Sequence, residues 1–303
     1  MTTSSAPPNA TAWQSYRVSW VQTRLVRPLR RMPVTGLAGG AILAVFTLAT
    51  IFAPLVATHD PNTGDTLDRL LAPSADHWFG TDQIGRDIFS RVVWGGRYTL
   101  GASLAVVTLS VVAATVIAVI SGYFGGKVDL VIQRLVDAWI AFPAFVLLIA
   151  LISLLGPNIR NVIIVMSLAM AGTMSRVLRA NVIAVKAAGY IETARVSGAT
   201  DLRIMVFHVL PQIIPLVLIL ASVQLGGVIL SLAALGFLGF GIPPPTPEWG
   251  SMLSGRAREY TYSAYWLGLF PGLAITITVL SLTLFFDSLR DVLDPRMRGA
   301  GRF

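Results

Sequence analysis

The chain has 303 residues, of which 54% are hydrophobic and 13% charged, and its mean hydropathy is +0.71. Soluble domains carry about 25% charged residues, so a soluble core of this size has no place for so much apolar surface, and the bilayer is the solvent that fits. Cysteine is absent, which excludes disulfides, zinc–thiolate centres, iron–sulfur clusters and a cysteine nucleophile. The net charge of +8 is spread along the flanks of apolar runs, which argues for a membrane and against nucleic acid as a partner.

Residues 1–12 read as disordered. Residues 13–32 put Val18, Val21, Leu25, Leu29 and Met32 on one helical face and Arg17, Arg24, Arg27 and Arg31 on another. That pattern fits a helix lying on an anionic leaflet. Pro28 interrupts it, and an unstructured basic tail that only sets topology fits equally well. The first apolar run begins near Val34 and is too long for the h-region of a signal peptide, about 7–15 residues.

A spanning helix needs about 20 mostly apolar residues. Six runs qualify: 34–57, 98–121, 132–155, 161–178, 211–237 and 264–286. Pro143, Pro215 and Pro271 lie inside them, which membrane helices tolerate where neighbours cover the freed backbone. Gly36/Gly40 and Gly268/Gly272 have the GxxxG spacing of close helix packing. With the N-terminus inside, 16 Lys and Arg fall on inside segments and 7 outside, so both termini are expected in the cytoplasm. The outside loop 58–97 then holds six Asp and four Arg, and the outside loop 239–263 holds Pro243-Pro244-Pro245-Thr246-Pro247, expected to be stiff and extended. The chain divides into a basic tail (1–33), a first span with its loop (34–97), a core of spans (98–290) and a second tail (291–303).

No catalytic constellation stands out. His59, His77 and His208 are scattered in sequence, and none has HExxH spacing. The run Ser121-Gly122-Tyr123-Phe124-Gly125-Gly126-Lys127-Val128 lacks the first Gly and the final Ser or Thr of a phosphate loop and follows a span, not a strand; it reads as a glycine turn. Asp137, Asp287 and Arg176 lie near span ends, where snorkelling to water is easy. Ser222 and Gln224 are the most central polar pair. They fit a line along a pathway or hydrogen bonding between helices.

Residues 179–211 are too polar to span and too long for a turn. On a helix, Ile191, Ala194 and Gly198 share a small apolar face at i, i+3 and i+7, and Glu192 and Arg195 are neighbours. Gly198 allows a sharp turn, and Pro211 suits the first turn of the next span. Two readings stand: a helix that docks into a partner, and a surface helix that only joins two spans.

Glu192-Thr193-Ala194, Gly198 and Leu210-Pro211 resemble the EAA loop of binding-protein-dependent ABC importer permeases, E-A-A, three residues, G, nine residues, then I-x-L-P. Thr193 and His208 depart from it. Further strings resemble the C-type permeases of dipeptide, oligopeptide and nickel importers: Phe79-Gly80-Thr81-Asp82, Gly85-Arg86-Asp87, Ser90-Arg91, Gly95 with Arg97, Gly122 to Gly126, Ala234 to Gly239, Pro245-Thr246-Pro247-Glu248-Trp249-Gly250, and Leu289-Arg290-Asp291 with Leu293-Asp294-Pro295. The resemblance implies an all-α permease of six spans that is not itself an enzyme and binds no cofactor. It also implies partners: a second permease, two ATPase subunits that use ATP and Mg, and an extracytoplasmic solute-binding protein. Tyr190, Glu192, Thr193, Ala194, Gly198 and Pro211 would then couple to an ATPase, while Asp82, Arg86, Asp87, Arg91, Glu248 and Trp249 would face the binding protein. Family members carry dipeptides, oligopeptides, glutathione or nickel, and peptide is the expected cargo. A stand-alone secondary transporter is the competing class. It predicts a mid-span Asp, Glu, Lys or Arg, and the sequence has none.

Overall fold

A computed structural model describes residues 32–254, 259–260 and 262–293. The proposed amphipathic segment 13–32 lies, but for Met32, outside the described residues, as do most of the two terminal tails. The described chain is helical, with one isolated antiparallel bridge, Thr81 to Asp87. Eight helices carry the fold: α1 (Val34–Ile51), α2 (Ile88–Phe124), α3 (Gly126–Ile140), α4 (Ala144–Leu155), α5 (Ile159–Lys186), α6 (Gly189–Val196), α7 (Leu210–Phe237) and α8 (Trp266–Leu293).

Five helical runs are long and apolar enough to cross a membrane, and α3 with α4 makes a sixth if a bent pair counts as one span. The third run differs most from its expected form. Instead of one rod over 132–155, it is two helices meeting at 86°. Pro143 sits at the break in extended geometry, because its ring and missing N–H prevent α3 from continuing. Helix α2 is longer than expected: Asp87 caps it, accepting from Ser90 N at 2.8 Å, so residues 88–97 leave the outside loop and join the helix. Helix α7 is continuous with what precedes it. A helical turn (Asp201–Ile204) and a π-helical turn (Met205–Val209) lead into it without a gap. Pro211 lies in the first turn of α7, as expected, but that turn continues helical turns already under way. The wide π turn accommodates the hydrogen bond that Pro211 cannot donate, and His208 lies within that turn instead of in a loop.

Packing follows small residues. Helix α1 lies on α8, and a Cβ at Gly36 or Gly40 would stand 2.3 Å from Ser288 Cβ or 2.8 Å from Phe285 Cδ2. Gly268 and Gly272 differ: no atom lies within 4 Å of a Cβ placed at either, so this GxxxG pair packs on nothing among the described residues. Helices α2 and α5 pack along each other, with Val106, Val107, Val162, Val165 and Met166 buried between them. Large apolar side chains such as Val45, Leu104, Leu154 and Leu218 point outward, as a hydrocarbon solvent requires. Asp137 and Arg176, near span ends, are both part-exposed and paired. Arg179 grips Asp129 with both its Nε (2.6 Å to Oδ1) and its Nη2, a bidentate link from α5 to α3.

Candidate functional site

One end of the bundle is built around α6. Ile191 is 1% exposed and belongs to one cluster with Tyr123, Leu178, Val182, Ile204 and Val209. The face of Ile191 and Ala194 therefore turns into the bundle, which corrects the expectation that it fills a partner's cleft: Ile191 is the large apolar residue of this short helix, and burying it anchors the helix. The outward face carries Tyr190, Glu192, Thr193, Val196 and Ser197, all exposed. Glu192 lies in the first turn, where a negative charge suits the helix dipole.

Helix α6 ends in a Schellman motif. Gly198 N donates to Arg195 O at 3.0 Å and Ala199 N to Ala194 O at 3.1 Å, with Gly198 at φ +83. Nothing lies within 4 Å of a Cβ placed at Gly198, so glycine is required there by backbone geometry and not by crowding. The last turn of α2 supplies a second anchor. Tyr123 is 2% exposed; its hydroxyl donates to Asp201 Oδ1 at 2.5 Å and accepts from Arg195 Nη2 at 3.3 Å, and Lys186 Nζ lies 5.6 Å from its ring centroid. Tyr123 thus joins α2 to both halves of the polar segment. The sequence places Tyr123 in a glycine turn with no local sign of this role; in the structure it lies in the last turn of α2. Beside α6 lies a groove of about 650 Å³ lined by Thr200, Leu202, Arg203, Val206, Phe207 and His208. Pro211 is exposed on the next turn.

The opposite end is a cap of loops. Asp82 accepts from Arg86 Nε at 2.7 Å and from the N–H groups of Ile84 and Arg86. Arg91 approaches Asp82 at 3.8 Å and donates through Nη1 to Pro61 O (2.6 Å) and Pro245 O (3.4 Å), so one guanidinium ties the loop before α2 to the loop after α7. Trp249 is fully buried and donates from Nε1 to Val92 O at 2.8 Å. Glu248, also fully buried, caps the turn Trp249–Met252 by accepting from Gly250 N (2.8 Å) and Ser251 N (2.7 Å). Burial pushes its carboxyl above the usual carboxylate range, against the two N–H groups, which favour the ionised form. A Cβ at Gly236 would stand 2.3 Å from Glu248 Oε2, and one at Gly250 2.3 Å from Ala233 O. The end of α7 and the Glu248-Trp249-Gly250 string are thus halves of one contact.

The cap corrects three expectations. Asp82, Arg86, Asp87, Arg91, Glu248 and Trp249 are each 8% exposed or less, so these side chains hold the cap together instead of facing outward. The proline-rich run turns, with the Pro244–Pro245 peptide bond cis, and is not a straight extended segment. Two of the scattered histidines come together: the His59 and His77 rings lie 4.7 Å apart, both beside Asp87. Between the two ends, Ser222 and Gln224 do not form a pair. They point to different faces of α7, about 200° apart. Ser222 bonds to Leu218 O of its own helix, while Ser110 Oγ of α2 donates to Gln224 Oε1 at 3.4 Å.

A helical bundle with a loop cap at one end and an anchored polar segment at the other is the architecture of a multi-span membrane protein. Residues 114–299 match the family described as binding-protein-dependent transport system inner membrane component, and residues 29–73 match the N-terminal TM domain of oligopeptide transport permease C. The chain belongs to the binding-protein-dependent transport system inner membrane components, of the oligopeptide permease C type. It is 39% identical over 262 residues to the dipeptide transport system permease protein of Alkalihalophilus pseudofirmus, covering 86% of each chain. It is 37% identical over 276 residues to the probable D,D-dipeptide transport system permease protein of Escherichia coli K12, covering 91% of this chain and 92% of the relative. The glutathione transport system permease protein of Pectobacterium atrosepticum is 36% identical over 286 residues, 94% of each chain. The chain is accordingly an inner-membrane, multi-pass permease subunit of an ABC importer, a non-catalytic member of its assembly.

Proposed function

We propose that this permease forms half of the translocation pathway of an ATP-driven importer of di- or oligopeptides. Its other subunits would be a related second permease, two ATP-binding subunits and an extracytoplasmic solute-binding protein. The observation that carries the coupling role is α6. Its apolar face is spent inside the bundle, and Tyr190, Glu192 and Thr193 stand free for an ATPase, with Ala194 and Gly198 fixing the helix end and Pro211 the exit. The open Gly268/Gly272 face of α8 supports a second permease packed there. Peptide cargo is supported by relatives named for dipeptide, D,D-dipeptide and glutathione transport. The cap would receive the binding protein through its loop surface, while the six buried residues keep that surface in shape.

Both termini would lie in the cytoplasm, following the distribution of Lys and Arg. Tags at either terminus should stay unlabelled by an impermeant reagent in intact cells, and labelling of either tag overturns the topology. For function, proteoliposomes holding the whole complex should accumulate a labelled dipeptide only with ATP and the binding protein both present. Uptake without ATP would favour a secondary transporter, and ATP-driven uptake of nickel but no peptide would move the cargo.

A further inference from the structure

We propose that His59, His77 and Asp87 form a binding site for a resident divalent cation of borderline softness, of which zinc(II) is the type. Among the described residues, these three side chains offer ligand atoms that all lie within 4.8 Å of one another. His77 Nδ1 is 3.0 Å and His59 Nδ1 4.0 Å from the same oxygen, Asp87 Oδ1. Ligands held at about 2.0–2.2 Å from one zinc ion stand roughly 3 Å apart at right angles and further apart at wider angles. The cluster is therefore within a small side-chain rotation of coordination. Two imidazoles and a carboxylate suit a borderline cation better than a hard one, since magnesium and calcium prefer all-oxygen sites.

The surroundings hold the ligands in place. His59 N donates to Ser90 Oγ at 2.9 Å, and His77 N donates to Ser74 Oγ at 3.1 Å, while His77 O accepts from Ser74 N and Gly80 N at 2.9 Å each. Asp87 turns its second oxygen, Oδ2, to Ser90 N (2.8 Å) and the Thr58 hydroxyl (3.4 Å), leaving Oδ1 toward the two rings. Such outer-shell hydrogen bonds orient a ligating carboxylate toward its metal. The Asp87 side chain is fully buried, that of His77 is 12% exposed and that of His59 43% exposed, so a cation can enter past His59.

A hydrogen bond between His77 and Asp87 alone accounts for one imidazole. The second, tilted by 33° against the first, has its Nδ1 3.0 Å from the Thr58 hydroxyl and 4.0 Å from the same carboxylate oxygen, so it would exchange the hydroxyl for the cation. A cation there would take the place of the proton between His77 and Asp87. It would clamp the segment after α1, the loop at His77 and the capping residue of α2 to one centre.

The test uses the full chain in its complex, in nanodiscs, purified without a histidine tag and stripped with a chelator. Zinc(II) is titrated calorimetrically over a magnesium background, and heat unfolding of the cap is followed in parallel. The expected result is one saturable zinc ion per chain with a raised unfolding temperature. Losing an outer-shell partner already costs about 10–100-fold in metal affinity, so His59→Gln and His77→Gln should each weaken this binding by at least about 100-fold. His208→Gln, at the other end of the molecule, should leave it unchanged. His59 is partly exposed, so His59→Gln tests the site without disturbing the fold. Absence of saturable binding overturns the proposal, as does binding that survives either His59→Gln or His77→Gln.

Discussion

Glu192→Arg separates ATP hydrolysis from uptake while the permease inserts and folds normally. Glu192 is exposed, makes no side-chain hydrogen bond to another element among the described residues and lies on the outward face of α6. The stability cost is confined to a reversed charge at a helix N-terminus, about 0.3–1 kcal/mol. A coupling free energy between two sites of about 1–3 kcal/mol corresponds to about 5–150-fold, and uptake should fall within that span while the ATPase turns over freely. Gly198→Arg should give the same transport loss by a different route. At φ +83 a side chain costs about 1–2 kcal/mol, which unwinds the end of α6 and misplaces the docking face. The measurement is ATP hydrolysis against uptake in one vesicle preparation, with heat stability as the control. Normal uptake in both variants removes the docking role from α6.

Trp249→Ala takes the cap apart. The side chain is fully buried, its indole N–H holds Val92 O at 2.8 Å, and it lies against Gly95 and Gly96 of α2. Truncating a buried tryptophan costs about 3–5 kcal/mol, a large fraction of the stability of most domains. Heat unfolding in detergent should show an early transition of the cap, with the α2–α5 packing melting later. Trp249→Phe, which keeps most of the apolar area, should recover most of the loss. An unchanged unfolding curve for Trp249→Ala would mean that the cap does not rest on this residue.

The spans were legible because a bilayer imposes a length and a composition that any window of residues displays. Helix ends were not. Residues 88–97 carry Ser90, Arg91 and Arg97 and look like loop, yet they are helical because Asp87 caps them and Asp82 and Pro61 O satisfy Arg91; the cap is a local pattern, but Pro61 O, 30 residues from Arg91, cannot be located from spacing. The bend at Pro143 follows a known property of proline, but Pro215 and Pro271 sit inside unbroken helices, so proline alone does not mark a break. At the docking end, the position of α6 was readable and its facing was not. Ile191, Ala194 and Gly198 define an apolar face, and the partners that bury it, Tyr123 and Leu178 among them, lie on other helices and cannot be read from the segment itself. The pairing of His59 with His77 left no local signal, since it depends on how the loop between α1 and α2 closes.

Helix α2 runs without interruption for 37 residues from Ile88 to Phe124, about 55 Å at 1.5 Å per residue. One end carries the carboxylate that faces the two histidines, and the other carries the tyrosine that holds Asp201 and Arg195. Hydrocarbon is about 30 Å thick, so this rod protrudes from it and touches water at both ends. A tilt of about 10° around its centre displaces each tip by roughly 5 Å, in opposite directions. If α6 takes the coupling role proposed above, the cap and the polar segment are joined by one unbroken helix, and a push on α6 would reach the far loops without any change of fold between them.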